Sequence, residues 1–294
     1  MTDRLLERLQ THLQALVGER HPVSFPEALK RAEQYLAEQF RRLGLPVSLH
    51  PFDALDGTYY NVVAALSPSA SAGLPASQEG APLLIAAHYD TVPNSPGADD
   101  NASGLAIMLE VAHRLRGLPL SREVQFVGFS LEEMDLVGSL AYAAHLRAGH
   151  RSIRGAIVLE CVGYTRAEQG SQRVPPGLPI PVPSIGNFLG IVGNVASAEL
   201  ATAVERSANQ AVPDLKTVSF LVPGQGEQFP DTRRSDHAAF WAYGYPAVML
   251  TDTANFRNPH YHQPTDTLET LDLRFMEQVA SAVTASVIRL AGRE

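Results

Sequence analysis

The chain has 294 residues, 45% of them hydrophobic, and a formal charge of -8. That is long enough to bury a sizeable core, in one large domain or two small ones. The acidic balance, with no block of Lys and Arg, excludes a polyanion-binding surface, because phosphate contacts need clustered cations. A single cysteine, Cys161, excludes an intramolecular disulfide and a cysteine-based zinc knuckle, so any metal must be held by His, Asp and Glu.

The N-terminus is charged and amphipathic, unlike a secretory signal, and no run of about 18 apolar residues suggests a membrane span. The expectation is therefore a cytoplasmic protein with neither nucleic-acid nor membrane partners. Its oligomeric state is not legible.

In chain order, Leu5, Leu6, Leu9, Leu13 and Leu16 have helical spacing, and so do Leu29, Ala32, Tyr35, Leu36, Phe40 and Leu43. Gly44 and Pro46 end the second helix. Residues 47–52 and 60–66 read as strands. Residues 67–82 are of low complexity and read as a flexible surface loop. Leu83–Ala87 is a continuous apolar run, as in a strand buried on both faces. Residues 103–116 and 131–146 read as helices, and 123–130 and 155–160 as strands. Residues 164–192 are rich in Pro and Gly and read as a second long loop. A helix over 195–212, strands over 217–222 and 246–251, and a closing helix over 272–290 complete the chain. The alternation predicts an α/β three-layer sandwich around a mixed, largely parallel sheet. No repeat or compositional break divides it, so residues 1–294 read as one domain with loop insertions near 67–82 and 164–192.

The most informative stretch is His88-Tyr-Asp90-Thr-Val, followed by Gly97-Ala-Asp99-Asp100-Asn-Ala-Ser-Gly104. Glu132-Glu133, Glu160 and His262 add further donors. Each cluster falls at or just beyond the carboxyl end of a predicted strand, where open α/β sheets form ligand crevices. Singly, each has a plain structural explanation: Asp-Asp-Asn-Ala-Ser-Gly could be only a helix cap, and Glu132-Glu133 a solvated helix start. Jointly they point to a metal site. Imidazole and carboxylate together suit zinc, with cobalt or manganese as substitutes. A bridging Asp with two further ligands per ion would hold two ions about 3.5–4 Å apart. Of two adjacent glutamates, one could bind metal and the other act as base. Cys161 reads as a small buried hydrophobe.

These strings, with Leu159-Glu160-Cys-Val-Gly-Tyr164, Ser235-Asp-His237 and Tyr261-His262-Gln-Pro-Thr-Asp266, resemble the zinc-dependent aminopeptidases of the bacterial leucyl aminopeptidase type. That superfamily includes glutamate carboxypeptidase and glutaminyl cyclase, and the resemblance spans roughly residues 58–290. It implies the zinc exopeptidase fold and an exopeptidase acting on peptides with two zinc ions per chain. By the resemblance, Asp100 bridges the ions. His88 and Glu160 complete one site, and Glu133 and His262 the other. Glu132 is the general base, Asp90 orients His88, and Tyr261 matches a donor to the developing oxyanion. Glu160 departs from the Asp usual in these aminopeptidases. Met134-Asp135 replaces Gln-Gly, a change expected to touch only the helix start.

Three other readings compete. A glutaminyl cyclase-type acyltransferase would hold one zinc. A carboxypeptidase would need a fork for the terminal carboxylate, for which Arg233-Arg234 is the candidate. A non-catalytic relative would have lost ligands, yet every ligand position here is filled. The substrate pocket is expected to draw on 164–192, with Phe188 and Leu189 as apolar candidates, and on 218–234.

Overall fold

The computed structural model describes residues 2–68, 80–175 and 177–292. Residues 69–79 of the loop expected over 67–82 lie outside them.

The chain opens with α1 (Thr2–Leu16) and α2 (Pro26–Arg42). Leu5, Leu9, Leu13 and Leu16 are all buried, the single apolar stripe their spacing predicts. Pro26 opens α2, where its missing N–H costs nothing, and Gly44 at φ 78° follows its end. A hairpin follows, β1 (Val47–Ala54) and β2 (Gly57–Leu66), turning on Leu55 and Asp56, both at positive φ.

The rest alternates: β3 (Leu83–His88), α3 (Gly104–Leu115), β4 (Val124–Phe129), α4 (Val137–Ala148), β5 (Gly155–Glu160), β6 (Phe188–Asn194), α5 (Ala198–Ala211), β7 (Lys216–Val222), α6 (His237–Ala242), β8 (Ala247–Thr251) and α7 (Leu273–Ala291). The eight strands form one sheet in the order β1-β2-β4-β3-β5-β8-β6-β7. Its centre, β4-β3-β5-β8, is parallel, and β6 pairs antiparallel with β8. Alternate residues of the central strands face two helical layers. Leu83, Ile85 and Ala87 pack in the core with α1, α2, α3, α5 and α7; Leu84 and Ala86 join the other, with α4 and α6. This is the expected mixed, three-layered α/β architecture.

Two local expectations are corrected, and one element is added. The Pro/Gly-rich loop is shorter than 164–192, because Phe188–Asn194 is β6. Its two glycines obscured the strand, yet lacking side chains they admit close neighbours: a Cβ on Gly190 would lie 3.2 Å from the Thr251 carbonyl of β8. The fourth helix begins at Val137, not 131, because Leu131, Asp135 and Leu136 take positive φ and hold 131–136 as an irregular turn. The segment from His237 forms the short helix α6.

The connections fix where a site can lie. From β3 the chain crosses to β4 on one side, then returns past β3 to β5 on its other side. Strand order thus reverses at the carboxyl end of β3, which leaves a crevice there.

Candidate metal centre

His88 is the last residue of β3, and its ring is fully buried. Its Nε2 lies 3.1 Å from Asp100 Oδ1, 3.4 Å from Glu160 Oε2 and 3.8 Å from Glu132 Oε2. Glu160 is the last residue of β5, and Glu132 and Glu133 stand on the turn after β4. His262, in the loop between β8 and α7, has Nε2 3.0 Å from Asp100 Oδ2 and 3.4 Å from Glu133 Oε2. Asp100 therefore turns one oxygen to each imidazole. One donor atom from each of His88, Asp100 and Glu160 lies within 4.8 Å of the others. The same holds for Asp100, Glu133 and His262, and for His88, Glu132 and Glu133.

The turn that carries Asp100 is shaped by Gly97, at φ 62°. A Cβ there would meet the Asp100 carbonyl and Thr91 Cγ2, each at 2.4 Å, so no side chain fits. Asp99 points away: its carboxylate accepts from Gly163 N–H at 2.8 Å and from Asn258 Nδ2 at 2.7 Å. Asp90 was expected to orient His88. Its Oδ1 is 3.5 Å from His88 Nδ1, too long for a hydrogen bond. Its two oxygens instead accept from the backbone N–H groups of Glu132 and Glu133, each at 3.1 Å. Asp90 thus caps the paired-glutamate turn.

Buried atoms without a hydrogen-bond partner concentrate here: both His88 ring nitrogens, Asp100 Oδ1, Glu133 Oε1 and His262 Nε2. An unsatisfied buried polar atom costs about 1–3 kcal/mol, more when charged. The proton equilibria point the same way. Burial drives Glu132 well above the carboxylate range against the charge of His88, and Glu160 and Glu133 push it further. Burial and then Asp100 raise Glu133 to about 7. Burial lowers the two histidines, but neighbouring carboxylates outweigh it. Glu132 and Glu160 hold His88 well above its usual value, and Asp100 and Glu133 raise His262 to about 10. Burial raises Asp100, yet its contacts with His262 and His88 pull it below the usual range. Carboxylates outnumber imidazoles in this cluster and share protons with them, and the donor set fits divalent cations.

Tyr261 stacks on His262 with ring centroids 3.8 Å apart. Its hydroxyl accepts from Arg234 Nη2 at 3.1 Å, which leaves the phenolic proton free to be donated. Burial, reinforced by nearby carboxylates, raises its pKa, so the phenol stays protonated. Arg234 also donates to Asn255 Oδ1 at 2.9 Å. Arg233 does not line the cavity beside the cluster, so the two arginines form no fork there.

That cavity, of about 300 Å³, has Glu160 and Tyr261 on its wall. The rest is largely apolar, including Leu178, Ile180, Phe188, Phe220, Met249 and Phe256. Both expected segments contribute. Leu189, however, points to the opposite helical layer, as strand alternation requires after Phe188. Cys161 lies against Glu160, and burial pushes its thiol pKa well up, so it stays an unreactive thiol.

Several supporting residues escaped the sequence reading. Ser235 Oγ donates to Glu160 Oε2 at 2.8 Å. Asp266 accepts from the backbone N–H groups of Asp99 (2.9 Å) and Asp100 (3.2 Å), so the loop bearing His262 grips the turn bearing Asp100. Asn61 of β2 accepts from Ser130 N–H and donates to the Gly138 carbonyl, bracing the glutamate turn. Ser235 and Asp266 stood inside strings that had been noted, though nothing local revealed their partners. Asn61 carried no signal.

Residues 61–287 match Peptidase family M28. The chain is 33% identical over 293 residues to the uncharacterised protein YfbL of Escherichia coli, covering 94% of this chain and 86% of that one. It is 29% identical over 215 residues to aminopeptidase YwaD of Bacillus subtilis, covering 72% of this chain but only 42% of that protein. The solved structure of BSAP, a zinc aminopeptidase from Bacillus subtilis, superimposes with a TM-score of 0.61 at 26% identity, covering 82% of this chain and 52% of that one. The matched segment contains the whole histidine–carboxylate cluster, and the chain belongs to Peptidase family M28.

Proposed function

We propose that the chain is a single-domain aminopeptidase that removes the N-terminal residue of peptides with the help of two divalent ions, zinc by preference. The observation that carries this is the two-sided Asp100, with Oδ1 toward His88 and Oδ2 toward His262. His88, Asp100 and Glu160 would hold one ion, and Asp100, Glu133 and His262 the other. The aminopeptidase named above as a relative and the zinc enzyme named among solved structures support the choice of reaction and metal. Bound ions would supply Lewis acidity, polarising the scissile carbonyl and bringing the pKa of a water toward roughly 7.

The chain's own residues do the rest. Among the described residues the Glu132 carboxylate accepts no hydrogen bond, and it faces the cluster from the turn that Asp90 caps. With its carboxyl ionised by the positive charge that bound cations would add, it would take a proton from the attacking water as the new C–O bond forms. It returns that proton to the leaving amine nitrogen as the C–N bond breaks. Tyr261 donates its phenolic proton in a hydrogen bond to the developing oxyanion. Glu160, on the cavity wall, receives the substrate's free α-amine, and the apolar cavity takes an apolar N-terminal side chain.

The test is a screen of aminoacyl amides and N-blocked peptides with zinc, cobalt and manganese, together with a metal count. Amides with a free amine and an apolar side chain should be hydrolysed, and N-blocked ones should not. One ion per chain with cyclisation of N-terminal glutamine, or cleavage of N-blocked peptides at a free carboxylate, would overturn the reading. In the same assay Glu132→Gln should lower kcat by about a hundred- to ten-thousand-fold with near-normal metal content. Loss of metal on that substitution would exchange the roles of Glu132 and Glu133.

A further inference from the structure

Arg20 is almost wholly buried, at 2% exposure, in the segment between α1 and α2. It precedes the residues matched by the family. Among the described residues no carboxylate forms an ion pair or hydrogen bond with it. Its guanidinium instead donates to five backbone carbonyls: Leu16, Gly18 (2.7 Å), Tyr89 (2.8 Å), Pro96 (3.1 Å) and Gly97 (3.1 Å). Its own N–H donates to Thr91 Oγ1 at 2.9 Å. Burying a cation is costly, and the carbonyl acceptors are what offset that cost here. Burial lowers its pKa to about 10, held up by the charges of Asp90, Asp100, Asp266 and Glu133, so it stays charged at neutral pH.

The acceptors are not scattered. Tyr89 lies between His88 and Asp90, and Pro96 and Gly97 lead directly into the turn bearing Asp100. One rigid, planar group therefore holds both segments, and its Nη2 would lie 2.9 Å from a Cβ on Gly97, so it also packs the inside of that turn. Lysine, with three donors on a point charge, cannot span these acceptors.

We infer that Arg20 is a positioning residue of the metal centre: it clamps the His88–Asp90 segment to the Gly97 turn and so sets where Asp100 stands relative to His88. The inference rests on the metal-site reading above. Full-length wild type, Arg20→Lys and Glu110→Gln are stripped with chelator and titrated with cobalt(II). Binding is followed by calorimetry and visible absorption, and kcat and KM are then measured. Glu110 is buried on α3, paired with Arg8 and Arg114 and with none of the cluster residues, and serves as a destabilised control.

Arg20→Lys should weaken cobalt binding by about 10–100-fold, shift the visible spectrum and lower kcat more than it changes KM. Glu110→Gln should leave the spectrum and kcat unchanged. Arg20→Lys with wild-type affinity and spectrum, or the same changes in Glu110→Gln, would overturn the inference. If Arg20→Lys does not fold, Arg20→Gln, which removes the buried charge and cannot span the carbonyls, carries the same readouts, and wild-type behaviour there overturns it. Wild-type protein that takes up no cobalt overturns the metal-site reading and this inference with it. Cobalt binding that is equal in wild type and variant overturns this inference alone.

Discussion

Single residues carry this site through their chemical type and their place at strand ends. His88, Asp100, Glu132, Glu133, Glu160 and His262 could be selected from the sequence because strand ends and acidic turns are locally encoded. Asp90 shows the limit of that reading. The family resemblance gives it an orienting role at His88, yet its oxygens accept from the N–H groups of Glu132 and Glu133 more than 40 residues away. Tyr261 poses the sharpest question at this scale. Its hydroxyl accepts from Arg234, so its proton is available, and Tyr261→Phe should lower kcat by about a hundredfold with little change in KM or metal content. An unchanged kcat would leave Tyr261 as a packing partner of His262.

At the scale of elements, the turn from β4 into α4 decides the placement of the paired glutamates. Helical periodicity suggested a helix from 131, but Asp135 and Leu136 at positive φ delay it to Val137. Gly138 is the tight point of that arrangement. A Cβ there would lie 2.0 Å from the Ser130 carbonyl and 2.6 Å from Asn61 Oδ1. Gly138→Ala should therefore push α4 away from the end of β4 and destabilise the protein by about 1–3 kcal/mol, the cost of overpacking. It should also weaken metal retention, because the Glu132–Glu133 turn moves with it. Urea denaturation and a metal assay would check both, and wild-type stability would show that the turn absorbs the methyl group. Strand β6 was missed for a related reason: Gly190 and Gly193 dilute its apolar pattern, while close neighbours on the sheet make glycine suitable there.

At the scale of the whole molecule, the N-terminal helices pack on the α3 side of the sheet, with a buried histidine at their contact. His12 of α1 has Nδ1 2.8 Å from the Tyr35 hydroxyl of α2. Burial lowers its pKa to about 4, helped by the charges of Arg8 and His113 and opposed by Glu110. Because the folded value lies below the unfolded one, the folded state binds fewer protons between them. The associated stability is present above about 6.5 and is lost as pH falls toward 4, amounting to about 3 kcal/mol at most. His12→Gln should show a smaller drop in Tm between pH 7 and pH 4.5 than wild type; an equal drop would exclude His12 as a contributor. No helix among the described residues is long and apolar enough to cross a membrane. What the sequence determined by itself was the α/β alternation and the order along the chain of the histidines and carboxylates proposed as ligands, because periodicity, caps and acidic turns are properties of neighbouring residues. Only the tertiary structure decided that Asp100 faces two imidazoles and that Ser235, Asp266 and Arg20 brace the cluster. It also decided that an apolar cavity opens beside Glu160. These are contacts between residues far apart in the chain, set by strand order and packing rather than by any local pattern.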